Sequence, residues 1–160
     1  MNPDEIIKGY RALIRRLGER IGIAGLEASE ENRCQLVFDE IFAVTIDVVP
    51  EEGVLWLHGS PGGAPTGNAS QTYRDLLASA LFGKKTLGVH IALDEASNSL
   101  ILQRDLPLHN LAYEDFEKAV TNFVNALEHW HKRLSRPNAP NAPNAPGDSS
   151  MEAPSHAVRA

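Results

Sequence analysis

The chain has 160 residues, 42% of them hydrophobic and 22% charged, with 15 Lys and Arg against 21 Asp and Glu. That composition supports one ordinary globular core, and a formal charge of −6 without a basic run argues against nucleic acid or an anionic membrane as partner. No apolar run reaches the ~20 residues that span a bilayer, Met1-Asn2-Pro3-Asp4-Glu5 lacks the basic-then-apolar order of a signal peptide, and a lone Cys34 rules out an internal disulfide or a Cys-based zinc cage. The expectation is a cytoplasmic protein with soluble partners.

From Asp4 to Ile21 the residues Ile6, Ile7, Tyr10, Leu13, Ile14, Leu17 and Ile21 follow helical spacing within one arc of about 120°. This predicts an amphipathic helix, with Pro3 tolerated in its first turn and Gly18 or Gly22 available to end it. Strands are predicted over 33–39 and 42–48, where Phe42, Val44, Ile46 and Val48 alternate strictly with Ala43, Thr45 and Asp47. A Pro50–Gly53 turn leads to a third strand, Val54–His58, completing an antiparallel meander. Gly59–Gly67, punctuated by Gly and Pro throughout, is expected as loop.

Ser70 is placed to cap a second helix running to about Phe82, with Tyr73, Leu76, Leu77, Ala80 and Leu81 on one face. Strands over 87–93 and 99–104 flank a hairpin loop. The last helix, Tyr113–Leu134, carries acids near its start and Lys132 and Arg133 near its end, which complement the macrodipole. The order α-β-β-β-α-β-β-α points to an α+β domain, a twisted antiparallel sheet covered by helices. Beyond it the repeat Pro137–Pro146 cannot bury enough apolar surface to offset ordering entropy, so 136–160 is expected as a disordered tail. Asp148 and Glu152 cancel Arg136 and Arg159, leaving the whole −6 on the body, 1–135.

The candidate chemistry is thin. The Gly59–Gly67 loop holds no Lys, and Gly83-Lys84-Lys85 is not preceded by the glycine a phosphate-binding loop needs. His129 and His131 stand two apart on a helix and point ~200° away from each other, unlike metal ligands at i and i+4. His58 and His90 lack a carboxylate or cysteine nearby in sequence, and Cys34 reads as core. No catalytic residue, cofactor or metal is expected, which favours a binding protein.

The second half carries a resemblance. Asp75-Leu76-Leu77-Ala78-Ser79-Ala80-Leu81-Phe82-Gly83, Leu87-Gly88-Val89-His90-Ile91-Ala92-Leu93-Asp94, Leu100-Ile101-Leu102, Leu106-Pro107-Leu108 and Tyr113-Glu114-Asp115-Phe116 resemble the class I type III secretion chaperones, the Tir chaperone or CesT-like family. Where many members have Asn near the end of the second helix, this chain has Ala80. The resemblance implies a homodimeric, ATP-independent bacterial cytoplasmic chaperone that holds the N-terminal region of one or a few secreted effectors in extended form. On that reading we expect the effector groove between part of the first helix and the first sheet, at Ile6, Ile7, Tyr10, Ile14, Val37, Phe42, Val44 and Ile46, and the resemblance suggests a dimer interface on the second helix and following strand, at Leu77, Ala78, Leu81, Phe82, Val89 and Ile91. The residues also admit a regulatory or interaction domain of the same layout, or a small-ligand enzyme built on the Gly59–Gly67 loop.

Overall fold

The computed structural model describes residues 2–66, 69–81, 86 and 88–135, together with the backbone of Val158–Arg159. Helix α1, Pro3–Ile21, opens with a capping box: the Asn2 side chain accepts from the Asp4 amide while Glu5 reaches back to the Asn2 amide. Gly22, at φ 78°, ends it in the left-handed conformation that glycine adopts without strain. Strands β1 (Arg33–Phe38), β2 (Phe42–Val49) and β3 (Val54–Gly63) form the expected meander. Helix α2, Ala69–Ala80, crosses to strand β4, His90–Asp94, which pairs in a hairpin with β5, Ser99–Pro107. Helix α3, Tyr113–Leu134, follows, and the antiparallel sheet has the order β4-β5-β3-β2-β1.

Strand alternation makes one face of this sheet dry over β1, β2, β3 and β5, and leaves it partly open at β4, where Leu93 is exposed and Ile91 half-buried. Cys34, Leu36 and Phe38, then Phe42, Val44, Ile46 and Val48, then Leu55 and Leu57, then Leu100, Leu102 and Leu106 are all buried. They share one core with Ile6, Tyr10, Ile14 and Leu17 of α1 and with Phe116, Val120, Phe123, Leu127 and Trp130 of α3. The opposite face, including Gln35, Ala43, Thr45, Asp47, Trp56 and His58, is exposed or half-buried.

The glycine-rich stretch departs from expectation. Residues 59–63 continue β3 instead of forming a loop, with Gly59 opposite Leu102 and Gly63 opposite Ser99 across a bulge between Gly59 and Gly62. The reason is close packing. A Cβ on Gly59 would stand 2.6 Å from the Ala43 carbonyl oxygen and 3.2 Å from Leu127 Cδ1, so the lack of a side chain lets α3 lie directly on the sheet. Buried Pro61 sits within the bulge, and its carbonyl accepts a 2.9 Å hydrogen bond from His131 Nδ1 on α3.

Two boundaries also differ. Ser70 lies inside the first turn of α2 and β4 starts at His90, while Phe82, Leu87 and all of the expected tail, 136–160, except Val158–Arg159 lie outside the described residues. Val158–Arg159 form a two-residue strand, β6, against β1. Gly59→Ala should destabilise the fold by about 2 kcal/mol, as overpacking against backbone does, with urea unfolding as the measurement; an unchanged midpoint would remove Gly59 as the contact that seats α3.

Candidate functional site

Two surfaces follow from the expected site residues. On the α1 side, Tyr10 donates a 2.7 Å hydrogen bond to the Ile46 carbonyl, fixing α1 on β2. That anchor is inside the core: Tyr10, Ile14, Val44 and Ile46 have no exposure, and Ile6 and Phe42 have almost none. Phe42 also meets the His131 ring edge-on at 5.4 Å. Of the eight expected groove residues, only Ile7 and Val37 are half-exposed, Ile7 on the flank of α1 and Val37 on the open sheet face. Within one protomer, the other six pack against the same chain and shape the surface from below.

The α2 side is the reverse. Leu76 is buried and Tyr73 half-buried, yet Leu77 is 75% exposed and Leu81, at the end of α2, 64% exposed, with Ala78 exposed beside them. Leu93 of β4 is 44% exposed and Ile91 is half-buried, whereas Val89 is buried. Solvent-facing leucines one helical turn apart are an apolar face without a cover. An ion pair between Asp75 of α2 and Arg133 of α3 holds this helix to the body. Phe82, the remaining expected interface residue, lies outside the described residues.

The open sheet face carries a polar cluster that the sequence reading missed. Asp47 accepts from Arg33 Nε at 2.9 Å and lies 2.8 Å from His58 Nε2. The hairpin register places Asp47 opposite Trp56 and therefore diagonal to His58 on the same face, so counting outward from the Pro50–Gly53 turn would have found the pair. Burial alone would raise the Asp47 pKa, but the hydrogen bonds and charges of Arg33 and His58 outweigh it and hold the carboxyl below its ordinary value.

Elsewhere, burial pushes the Cys34 thiol up to about 11, leaving it protonated and unreactive at neutral pH. A cleft of about 450 Å³ between α1 and α3 is lined by Arg16, Glu19, Arg20, Tyr113, Glu114 and Glu117. Its cations are spent on the ion pairs Arg16–Glu114 at 3.0 Å and Arg20–Glu117 at 3.2 Å. Among the described residues, no three His, Cys, Asp or Glu are grouped to hold a metal, and no helix is long and apolar enough to cross a membrane.

A two-layer α+β body with leucines facing outward on its crossover helix is the build of a protein-binding domain. The profile of the Tir chaperone protein (CesT) family matches residues 12–131, and the chain belongs to that family. It is a chaperone. The Tir chaperone of Citrobacter freundii is 26% identical over 116 residues, 72% of this chain and 73% of that protein. The transcriptional anti-antiactivator ExsC of Pseudomonas aeruginosa is 25% identical over 130 residues, 76% of this chain and 83% of that protein. Among solved structures, the fold matches one in the ExsC-ExsE complex with a TM-score of 0.70 and 24% identity, covering 84% of this chain and 97% of that one. It matches one in the HopA1-SchA chaperone-effector complex with a TM-score of 0.67 and 21% identity, covering 79% and 95%.

The lowered Asp47 pKa gives a signed expectation. A carboxyl lowered in the folded state stabilises it above the ordinary carboxylate range, near pH 4, and that contribution is lost as pH falls through the lowered folded value. Asp47→Asn should reduce stability at pH 7 and flatten its fall below about pH 4, as thermal melts across that range would show.

Proposed function

We propose that this protein is an ATP-independent cytoplasmic chaperone of a type III secretion system. Acting as a homodimer, it holds the N-terminal chaperone-binding region of one or a few secreted effectors in extended form, soluble and competent for export. The observation that carries this reading is the match of nearly the whole described body to chaperones solved with protein partners, HopA1-SchA among them. Its physics is that of a scaffold. An extended segment gains main-chain hydrogen bonds along a sheet edge and lays alternate side chains on the neighbouring surface. Here that surface is the edge of β1 and the open sheet face, with Ile7 and Val37 as accessible apolar contacts above Ile6, Tyr10, Ile14, Phe42, Val44 and Ile46.

The work requires neither catalysis nor a cofactor, in keeping with a buried, protonated Cys34 and a cleft whose cations are already paired. Dimerisation falls to Leu77, Ala78 and Leu81 with Ile91, beside buried Val89 and followed in sequence by Phe82. Leaving two leucines so exposed on one short helix disfavours a lone protomer in water. The likeness to ExsC supports a second role, in which the same surface binds a regulator of transcription instead of an effector.

Copurification from the native bacterium followed by mass spectrometry should recover a stoichiometric protein held through its N-terminal region. A secreted effector supports the first reading, a transcriptional regulator the second, and stabilisation only by a metabolite contradicts both. Val37→Asp with Ile7→Asp should reduce that recovery at least about tenfold while the circular dichroism of the chain stays native. Leu77→Asp with Leu81→Asp should halve the mass measured by light scattering, and a monomeric wild type at micromolar concentration would overturn the dimer.

A further inference from the structure

The β1 edge is not empty. Val158 and Arg159 form β6 antiparallel to β1, with Val158 opposite Phe38 and Arg159 opposite Val37. We propose that the C-terminal end of this chain is a strand held in cis on the edge where a client strand docks, so that a client binds by displacing it. The proposal rests on the chaperone reading above and adds to it a competitor that the chain carries itself.

Three observations bear on it. First, β1 is the outermost strand of the five-stranded body, and its sequence Arg-Cys-Gln-Leu-Val-Phe contains no Pro, no Lys and no inward charge, the devices that keep an edge from pairing with other chains. Such an edge invites a strand, and the chain supplies one. Second, the cover is partial among the described residues. The described pairing engages Val37 and Phe38, and no described residue of the C-terminal segment pairs with Arg33, Cys34, Gln35 or Leu36. A client strand can therefore start at the Arg33 end of β1 and peel off β6 by extending along the edge, a gradual exchange.

Third, this segment stands outside the shared fold. The family match ends at residue 131, and the chain from the ExsC-ExsE complex is covered over 97% of its own length while 84% of this chain is used. Residues 135–157 separate α3 from β6, and 23 residues fully extended span about 75 Å, so chain length does not prevent the return to β1.

The test uses the full chain with Val158→Pro and Arg159→Pro, which removes both β6 amide donors. Hydrogen exchange should accelerate in this variant, relative to wild type, at the one amide of the Val37–Phe38 pair that faces β6, the other facing β2. A labelled peptide of residues 150–160 added in trans should bind the variant roughly tenfold more tightly than wild type, and the same peptide carrying both prolines should bind neither. Equal exchange or equal peptide affinity overturns the proposal. For a client recovered by copurification, tighter binding to the variant supports competition. Equal binding overturns competition while the chaperone reading stands. Should no client copurify with either chain, the chaperone reading fails, and exchange and peptide binding alone decide whether the edge is self-occupied.

Discussion

Everything in this structure depends on a single asymmetry: β1, β2, β3 and β5 bury one face of the sheet against α1 and α3, whereas the other face is exposed or half-buried among the described residues. Alternate residues from Cys34 to Leu106 point into one core, where α1 and α3 meet them. Two helices laid on one side of a five-stranded sheet leave a wet face and two edges. Those leftovers are the surfaces on which the proposed docking rests. The close seating of α3 matters here because it crosses β3 at Gly59, where a side chain would collide with backbone. The stretch that looked like a loop is the bed on which the longest helix rests.

Much of this was legible in the residues. Strict alternation over Phe42–Val48 and the helical stripes of α1 and α3 specify their elements because burial imposes periods of about 2 and 3.6 on the chain. The element order and the family resemblance followed from the same pattern. Gly59–Gly63 was misread because glycine and proline usually mark turns, whereas here they serve close approach and a bulge, a need that arises only when another element is laid on top. Boundaries suffered similarly: Ser70 is a good capping residue, but α2 already includes Ala69.

The candidate site was legible in composition and not in depth. An apolar stripe shows that residues are buried by something without saying by what. Tyr10, Ile14, Val44 and Ile46 are covered by their own chain, while Leu77 and Leu81, equally apolar and equally periodic, face outward. Only the position of α2 beside the outer strand β4 separates the two cases. The Asp47–His58 pair required strand register, and β6 has no pattern at all, since two residues are too few to show a period.

The strand order has a metric consequence for any dimer built through α2 and β4. Those elements lie at one end of the sheet and β1 at the other, so joining protomers at the β4 end sends the two β1 edges to opposite extremes. Four strand spacings of ~4.8 Å separate β4 from β1 in each protomer, which puts the two edges roughly 40 Å apart at least. An extended polypeptide advancing ~3.3 Å per residue needs about a dozen residues to bridge them, before any is counted for pairing. The sheet then acts as a ruler: a segment shorter than this, or one already folded, reaches one edge and not both, so chain length and lack of structure become the selected properties of the cargo.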